Sequence, residues 1–389
     1  MKLVAYIGSY RDESGDGGGI TVLAVSRDGR SLTPVSQVPE PREAGYLAYL
    51  DGTLYAVDER KTDGRGPVEP AASVHAFAAD PRDGSLTWLN SRLAPGPRPT
   101  FLSTDGQVLV TANHGDFDHV EHVVRTPGGG WTVEYLYDDS TVILYELGGD
   151  GRLGEIRDLH VLTGHGTDPN SSAQAGGHGQ ASPHAHCAVI DPSGRHVLVC
   201  DKGTDRILVF ALGDTLNLKR TYTFEDETGP RHLAFEPGTG RAFVTCEFSS
   251  ELASFAFDAA SGELRLLDRV PTVASGYRGR NEPAEVRVHP RGGHVYVNNR
   301  GEDSLAWFRA DREGRLLRLG HVPLARSVHP GLAARSFAFD PTGTFLLLAD
   351  RPAGLVRSFA VDAEDGQVRP LATVAVAEPS FVAFAEVTG

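Results

Sequence analysis

The sequence predicts an all-β protein, a seven-bladed β-propeller with four antiparallel strands per blade. Three observations predict it: a four-strand unit repeated in series, two partial units at the termini that complete one another, and short alternating strands with almost no helical periodicity. The repeat is plainest in the second half. Pro230-Arg231-His232-Leu233-Ala234-Phe235-Glu236-Pro237, Pro283-Ala284-Glu285-Val286-Arg287-Val288-His289-Pro290 and Ala334-Arg335-Ser336-Phe337-Ala338-Phe339-Asp340-Pro341 each read as a strand ending in an acidic residue or His before Pro. A Gly-containing turn follows, then a hydrophobic second strand (Ala242–Cys246, His294–Asn298, Phe345–Ala349) and a third ending in Phe255, Phe308 or Phe359. A fourth strand comes after Asp-x-x-x-Gly or a close variant.

Taken in chain order, residues 3–36 supply strands two to four of a unit with no first strand. Looser complete copies cover Gly45–Asn90 and Pro99–Ile156, and a clear one covers Ala185–Arg220, whose first turn is Asp191-Pro192-Ser193-Gly194. The three units quoted above follow, and Glu378–Phe384 supplies a first strand with nothing after it. The terminal fragments make the seventh blade, which closes the ring by hydrogen bonds and leaves no open sheet edge at the seam. The whole of 1–389 is therefore expected to be one propeller domain, at about 56 residues per blade against 40–45 for WD repeats. The surplus falls in insertions at about 113–137 and 157–182, the second rich in Gly, Ser and His; each reads as a mobile surface loop or as a lid over a pocket.

Composition narrows the function. Gly 45 and Pro 24 are spread along the chain, as many turns require. No apolar run approaches the 18 residues of a membrane helix, and a net charge of −14 argues against nucleic acid or an anionic membrane as the main partner. The short apolar N-terminus and the odd, low count of cysteines (Cys187, Cys200, Cys246), each within an apolar run, point to a reducing compartment and a cytoplasmic location. The oligomeric state is not legible, and a monomer is compatible with the reading.

Candidate site residues come from the repeat itself. The first strand of a blade lines the central channel and the second runs back antiparallel, so the start of the first and the end of the second share one face. Aligned through the repeat, one column holds Thr100, His186, Arg231, Ala284, Arg335 and Ser380. The other holds Lys202, Glu247, Arg300 and Arg351, with Glu59 and His114 from the looser blades. Each has an ordinary alternative: Arg351, Lys202 and Glu59 as solvated turn residues, Arg231, Arg300 and Glu247 as an inter-blade ion pair, His186 as a satisfied core histidine. Gathered on one face, they suggest acid–base chemistry with electrostatic stabilisation. His184-x-His186 has a chelating spacing on a strand, with His160, His165 and His178 near in sequence, but no carboxylate stands at motif spacing to complete a set, so no metal and no cofactor is expected. Serine-hydrolase elbow, phosphate-loop, zinc-protease and dinucleotide-binding motifs are absent from the sequence.

Five strings carry a family resemblance: Ser182-Pro183-His184-Ala185-His186, Asp201-Lys202-Gly203-Thr204-Asp205-Arg206, Gly229-Pro230-Arg231-His232, Ala284-Glu285-Val286-Arg287-Val288-His289-Pro290 and Asn298-Asn299-Arg300-Gly301. With the opening Tyr6-Ile7-Gly8-Ser9-Tyr10, the chain resembles, over nearly its whole length, the lactonase-type seven-bladed propellers, which include bacterial 6-phosphogluconolactonases and fungal carboxy-cis,cis-muconate cyclases. The resemblance implies His186 as the active-site histidine, with Arg231, Glu247 and Arg300 as the other catalytic participants. The chain departs from the family at Thr245-Cys246-Glu247 and at Ala112-Asn113-His114, which bear on substrate more than on fold. The expectation is a hydrolase for a small anionic sugar lactone. Glu247 or His186 would be the base and the other the acid, the arginines would stabilise the oxyanion, and His184, Lys202, Arg335, Arg351 and His114 would bind substrate. A lactone-forming cyclase and a non-catalytic binding platform are the alternatives.

Overall fold

In the computed structural model the described residues are 1–11, 17–60, 72–167, 179–328 and 331–388. They form seven four-stranded antiparallel sheets and one separate two-stranded sheet. Blades 2 to 7 begin with the inner strands Leu47–Leu50, Pro99–Thr104, Ala185–Ile190, Pro230–Phe235, Glu282–Val288 and Ser336–Phe339, and each proceeds outward in chain order. Blade 1 takes its inner strand, Pro379–Val387, from the C-terminus; this strand pairs antiparallel with Lys2–Ser9, Ala5 opposite Phe384. Successive inner strands pack against one another all the way round, so the ring is closed.

Second strands are sandwiched between neighbouring blades and are buried along their length, as at Thr53–Asp58, His196–Asp201 and Phe345–Asp350. Fourth strands reach solvent, as in Leu316–Pro323, where Leu316 is buried, every second residue from Leu317 onward is exposed and those between are half-buried. The third strands run a little past the aligned phenylalanines, Glu251–Asp258 for example, because Phe255 packs within the core and not at a strand end.

One tie between blades recurs. Tyr6, Tyr55 and Tyr296, on second strands, each donate a hydrogen bond from the phenol to the carbonyl of Gly84, Gly151 or Gly366 in the outer turn of the next blade. Each of these glycines has φ between 72° and 81°, the left-handed conformation that the turn requires and that L side chains resist. Tyr296→Phe is expected to lower stability by about 1–2 kcal/mol, measured by urea unfolding, because the buried Gly366 carbonyl loses its partner.

Two sequence expectations change. The first insertion is not a bare loop: His119–Arg125 and Trp131–Tyr137 pair as a β-hairpin, whose alternating Val, Tyr and Trp residues favour strands. The second insertion starts later than 157, because Arg157–Val161 complete the fourth strand of blade 3, Leu153–Val161. Residues 168–178 of that insertion, His178 included, lie outside the described residues. Among the described residues no helix is long and apolar enough to cross a membrane.

Candidate functional site

A cavity of about 600 Å³ opens at the face where inner strands begin and second strands end. Each second strand delivers the residue at its end to this rim or just beneath it: Tyr10, Glu59, His114, Lys202, Glu247, Arg300 and Arg351, one per blade. Inner strands supply Thr100, His186 and Arg335 to the cavity, and Arg231 and Ser380 to a small recess continuous with it. Ala284, from the same column, lines neither.

At the centre lies a buried charge cluster. Lys202 Nζ donates to Glu247 Oε1 at 2.8 Å, while Arg231 Nε and Arg300 Nη2 stand 2.8 and 2.9 Å from Oε2. All four side chains are at most 3% exposed. Burial alone would raise the Glu247 pKa, but Lys202, Arg300 and Arg231 outweigh it and hold the carboxyl well below its usual range. Glu247 is thus a fixed anion beneath the cavity floor, poorly suited to take up a proton. Burial and Arg300 make Arg231 less basic, down to about 9, which leaves it cationic at neutral pH. Its Nε and Nη1 have no aligned hydrogen bond among the described residues, so the guanidinium is held here by charge, with donor capacity to spare.

His186 is buried, and its Nδ1 lies 3.1 Å from Nε2 of His232. Burial, then Arg231, His232 and Lys202, push its pKa well below the ordinary value, so the ring is neutral at pH 7. His114 faces it edge-on at 5.4 Å between ring centroids and donates Nδ1–H to the Gly115 carbonyl. His184, expected to bind substrate, does not line the cavity: it stacks beneath His114 at 4.6 Å and donates Nδ1–H to the His114 carbonyl, so it props a cavity wall. Burial lowers its pKa to about 4. Among the described residues no cluster of three or more His, Cys, Asp or Glu is arranged to hold a metal ion.

The outer part of the cavity is a second polar network. Tyr10 donates to Glu59 Oε2 at 2.6 Å and accepts from Arg335 Nη1 at 2.7 Å, and the Arg351 guanidinium lies 4.6 Å from the centre of the Tyr10 ring. Glu59 can come this close because residue 45 is glycine: a Cβ there would meet the carboxylate at 2.1 Å. Arg98 pairs with Asp116 at 3.0 Å, and Phe117 packs against His114 and under Lys202. Asp116 and Phe117, with His114, are the residues of the first insertion that reach the cavity. Five basic side chains and three carboxylates line it. Burial and the neighbouring Glu59 raise one of the three, Glu43, to about 7, so the wall is net positive at neutral pH.

Sequence reasoning missed Tyr10, Glu43, Arg98, His232 and Glu285. Tyr10 follows the second strand of blade 1 and belongs to the same column. In the sequence this column is anchored by the third-strand phenylalanine (Phe255, Phe308, Phe359), which blade 1 lacks in Ile20–Val25. His232 and Glu285 escape for another reason. Near their starts the inner strands of blades 3 to 6 carry one residue more than the partner strand, a bulge that can turn two successive side chains toward the channel.

A closed ring of seven blades around a polar, net-positive cavity that holds a neutral histidine and buried arginines defines an enzyme-like propeller. The chain belongs to the lactonase seven-bladed β-propeller family, whose pattern it matches over residues 4–384. It is 27% identical over 388 residues to the 6-phosphogluconolactonase of Bacillus subtilis, covering 98% of each chain. It is 28% identical to the 6-phosphogluconolactonase of Pectobacterium carotovorum, over 80% of this chain and 81% of that one. The solved periplasmic gluconolactonase of Pseudomonas aeruginosa superposes with a TM-score of 0.82 at 25% identity, covering both chains in full.

Proposed function

We propose that the chain hydrolyses a small anionic sugar lactone, of the 6-phosphogluconolactone kind, in the cavity of Tyr10, His186 and Arg335. The observation that carries this reading is the placing of a neutral histidine beside a buried arginine with unused donors, inside a net-positive wall. His186 Nε2 takes a proton from water as the oxygen attacks the lactone carbonyl. Arg231 stabilises the charge that forms on the carbonyl oxygen. His186 then returns the proton to the ring oxygen as the carbon–oxygen bond breaks, and the carboxylic acid released ionises in solvent. Glu247, expected from the sequence to share acid–base work, is here the counter-ion that keeps Lys202, Arg231 and Arg300 together.

Arg335 and Arg351, in the outer cavity, would hold the phosphate or carboxylate of the substrate. Arg351→Ala is expected to raise KM about 10–100-fold with little change in kcat, since it removes a charge-assisted contact away from the reacting bond. Steady-state kinetics on the purified variant measures both constants.

Purified protein is assayed against 6-phosphogluconolactone and 3-carboxymuconate. Turnover of the first well above its spontaneous hydrolysis is the expected result. Turnover of the second alone would make the chain a lactone-forming cyclase, and turnover of neither would overturn the assignment. The proposed compartment is the cytoplasm, in keeping with three free, buried cysteines.

A further inference from the structure

Beneath His186 the structure holds a buried chain of side chains that the reaction above does not use. Nε2 of His232 meets Nδ1 of His186 at 3.1 Å, and Nδ1 of His232 meets Glu285 Oε1 at 3.2 Å. Arg287 Nη2 donates to the other oxygen, Oε2, at 3.3 Å. His232, His186 and Glu285 are at most 7% exposed. The rings of Phe101 and Tyr46 stand edge-on to His232 at 5.3 and 6.3 Å and restrict its rotation.

The direction of these bonds is fixed from one end. Burial would raise the Glu285 pKa, but Arg287, His232 and Arg231 together hold it below the ordinary value, so Glu285 is a carboxylate and only accepts. His232 must then carry its proton on Nδ1. Burial and Arg231 lower the His232 pKa to about 4, so the ring is neutral and its Nε2 is bare. A bare Nε2 accepts from His186, whose proton therefore sits on Nδ1. The remaining nitrogen of His186, Nε2, is left with a lone pair and belongs to a residue that lines the cavity.

We propose that His232 and Glu285 are positioning residues that fix the tautomer of His186, so that its unprotonated Nε2 faces the cavity. The proposal rests on the lactonase reading for its catalytic consequence but not for its structural claim. Charged and titratable groups around the chain are Arg231, Lys202 and His114 at His186, Arg231 and Arg287 at His232, and Arg287, Arg231 and Tyr46 at Glu285.

Glu285→Gln inverts the chain. Arg287 donates, so it keeps the amide oxygen on its side and turns the NH2 toward His232. Nδ1 of His232 must then accept, Nε2 carries the proton and donates to His186 Nδ1, and His186 is protonated on Nε2. The base is blocked with no change of shape. In serine proteases a carboxylate-to-amide change of this kind costs about 10⁴-fold in kcat through the wrong tautomer.

The test is ¹⁵N NMR of imidazole-labelled protein, with the His186 signals assigned by their loss in His186→Asn, together with kinetics on 6-phosphogluconolactone. In the unaltered protein His186 is expected as the Nδ1–H tautomer, and in Glu285→Gln as the Nε2–H tautomer. The same variant is expected to lose about 10²–10⁴-fold in kcat with KM little changed. A purely structural role for Glu285 would lower stability without exchanging the two ring signals. An Nε2–H tautomer of His186 in the unaltered protein overturns the proposal. So does a Glu285→Gln variant of full kcat in an enzyme that His186→Asn inactivates, a result that leaves the lactonase reading standing. If the unaltered protein hydrolyses no lactone, the lactonase reading falls, and the ring signals alone decide the tautomer.

Discussion

Glu247→Gln is expected to destabilise the folded chain by about 3–5 kcal/mol, seen as a lower midpoint in urea unfolding at pH 7. The carboxylate is fully buried and is the shared partner of Lys202, Arg231 and Arg300. An amide of the same shape leaves those buried cations facing one another with no counter-charge between them. The effect follows pH with a definite sign. Glu247 has a folded-state pKa below its unfolded value of about 4.3, so its contribution is complete above that value and is lost as pH falls through the folded one. The gap between the natural chain and Glu247→Gln should therefore be constant from pH 8 to about 5 and shrink in acid. A variant as stable as the natural chain at pH 7 would mean that water reaches the cluster and screens it.

His186→Asn is expected to reduce kcat on 6-phosphogluconolactone by about 10²–10⁴-fold while the protein stays folded, since it removes the proposed base and spares the charge cluster. The pH profile carries independent information. Burial, Arg231, His232 and Lys202 hold the His186 pKa well below 6.5, and a base works only when unprotonated. The acid limb of kcat/KM should therefore lie below the range of a free histidine, with full activity retained at pH 6. A limb centred near 6.5 would indicate a different, solvated base. Retention of full activity by His186→Asn would remove this residue from the chemistry.

Much of the site is legible in the repeat because a propeller repeats geometry. Whatever ends a second strand in one blade occupies the same height in all seven, so Glu59, His114, Lys202, Glu247, Arg300 and Arg351 were legible from spacing alone, and Tyr10 would have been with a better anchor than a phenylalanine. Arg98 was not legible: it lies before an inner strand, at φ 54°, and reaches the cavity through its pairing with Asp116 of the insertion. Roles were harder than positions. Glu247 as acid, base or counter-ion looks the same in sequence, because the choice depends on how many cations surround it.

By itself the sequence determined the all-β class, the blade count, the closure of blade 1 by the C-terminal strand and the face that carries the polar residues, because strand period, turn residues and repeat length are local properties of the chain. The tertiary structure decided which of those residues touch. Strict alternation would point His232 away from the channel if Arg231 faces it, and Glu285 follows Ala284 in the same way. The bulges near the starts of inner strands Pro230–Phe235 and Glu282–Val288 break that alternation and bring His232 and Glu285 into one chain with His186. Whether a side chain is an acid, a base or a fixed charge then depends on burial and on neighbours contributed by other blades, which only the closed ring brings together.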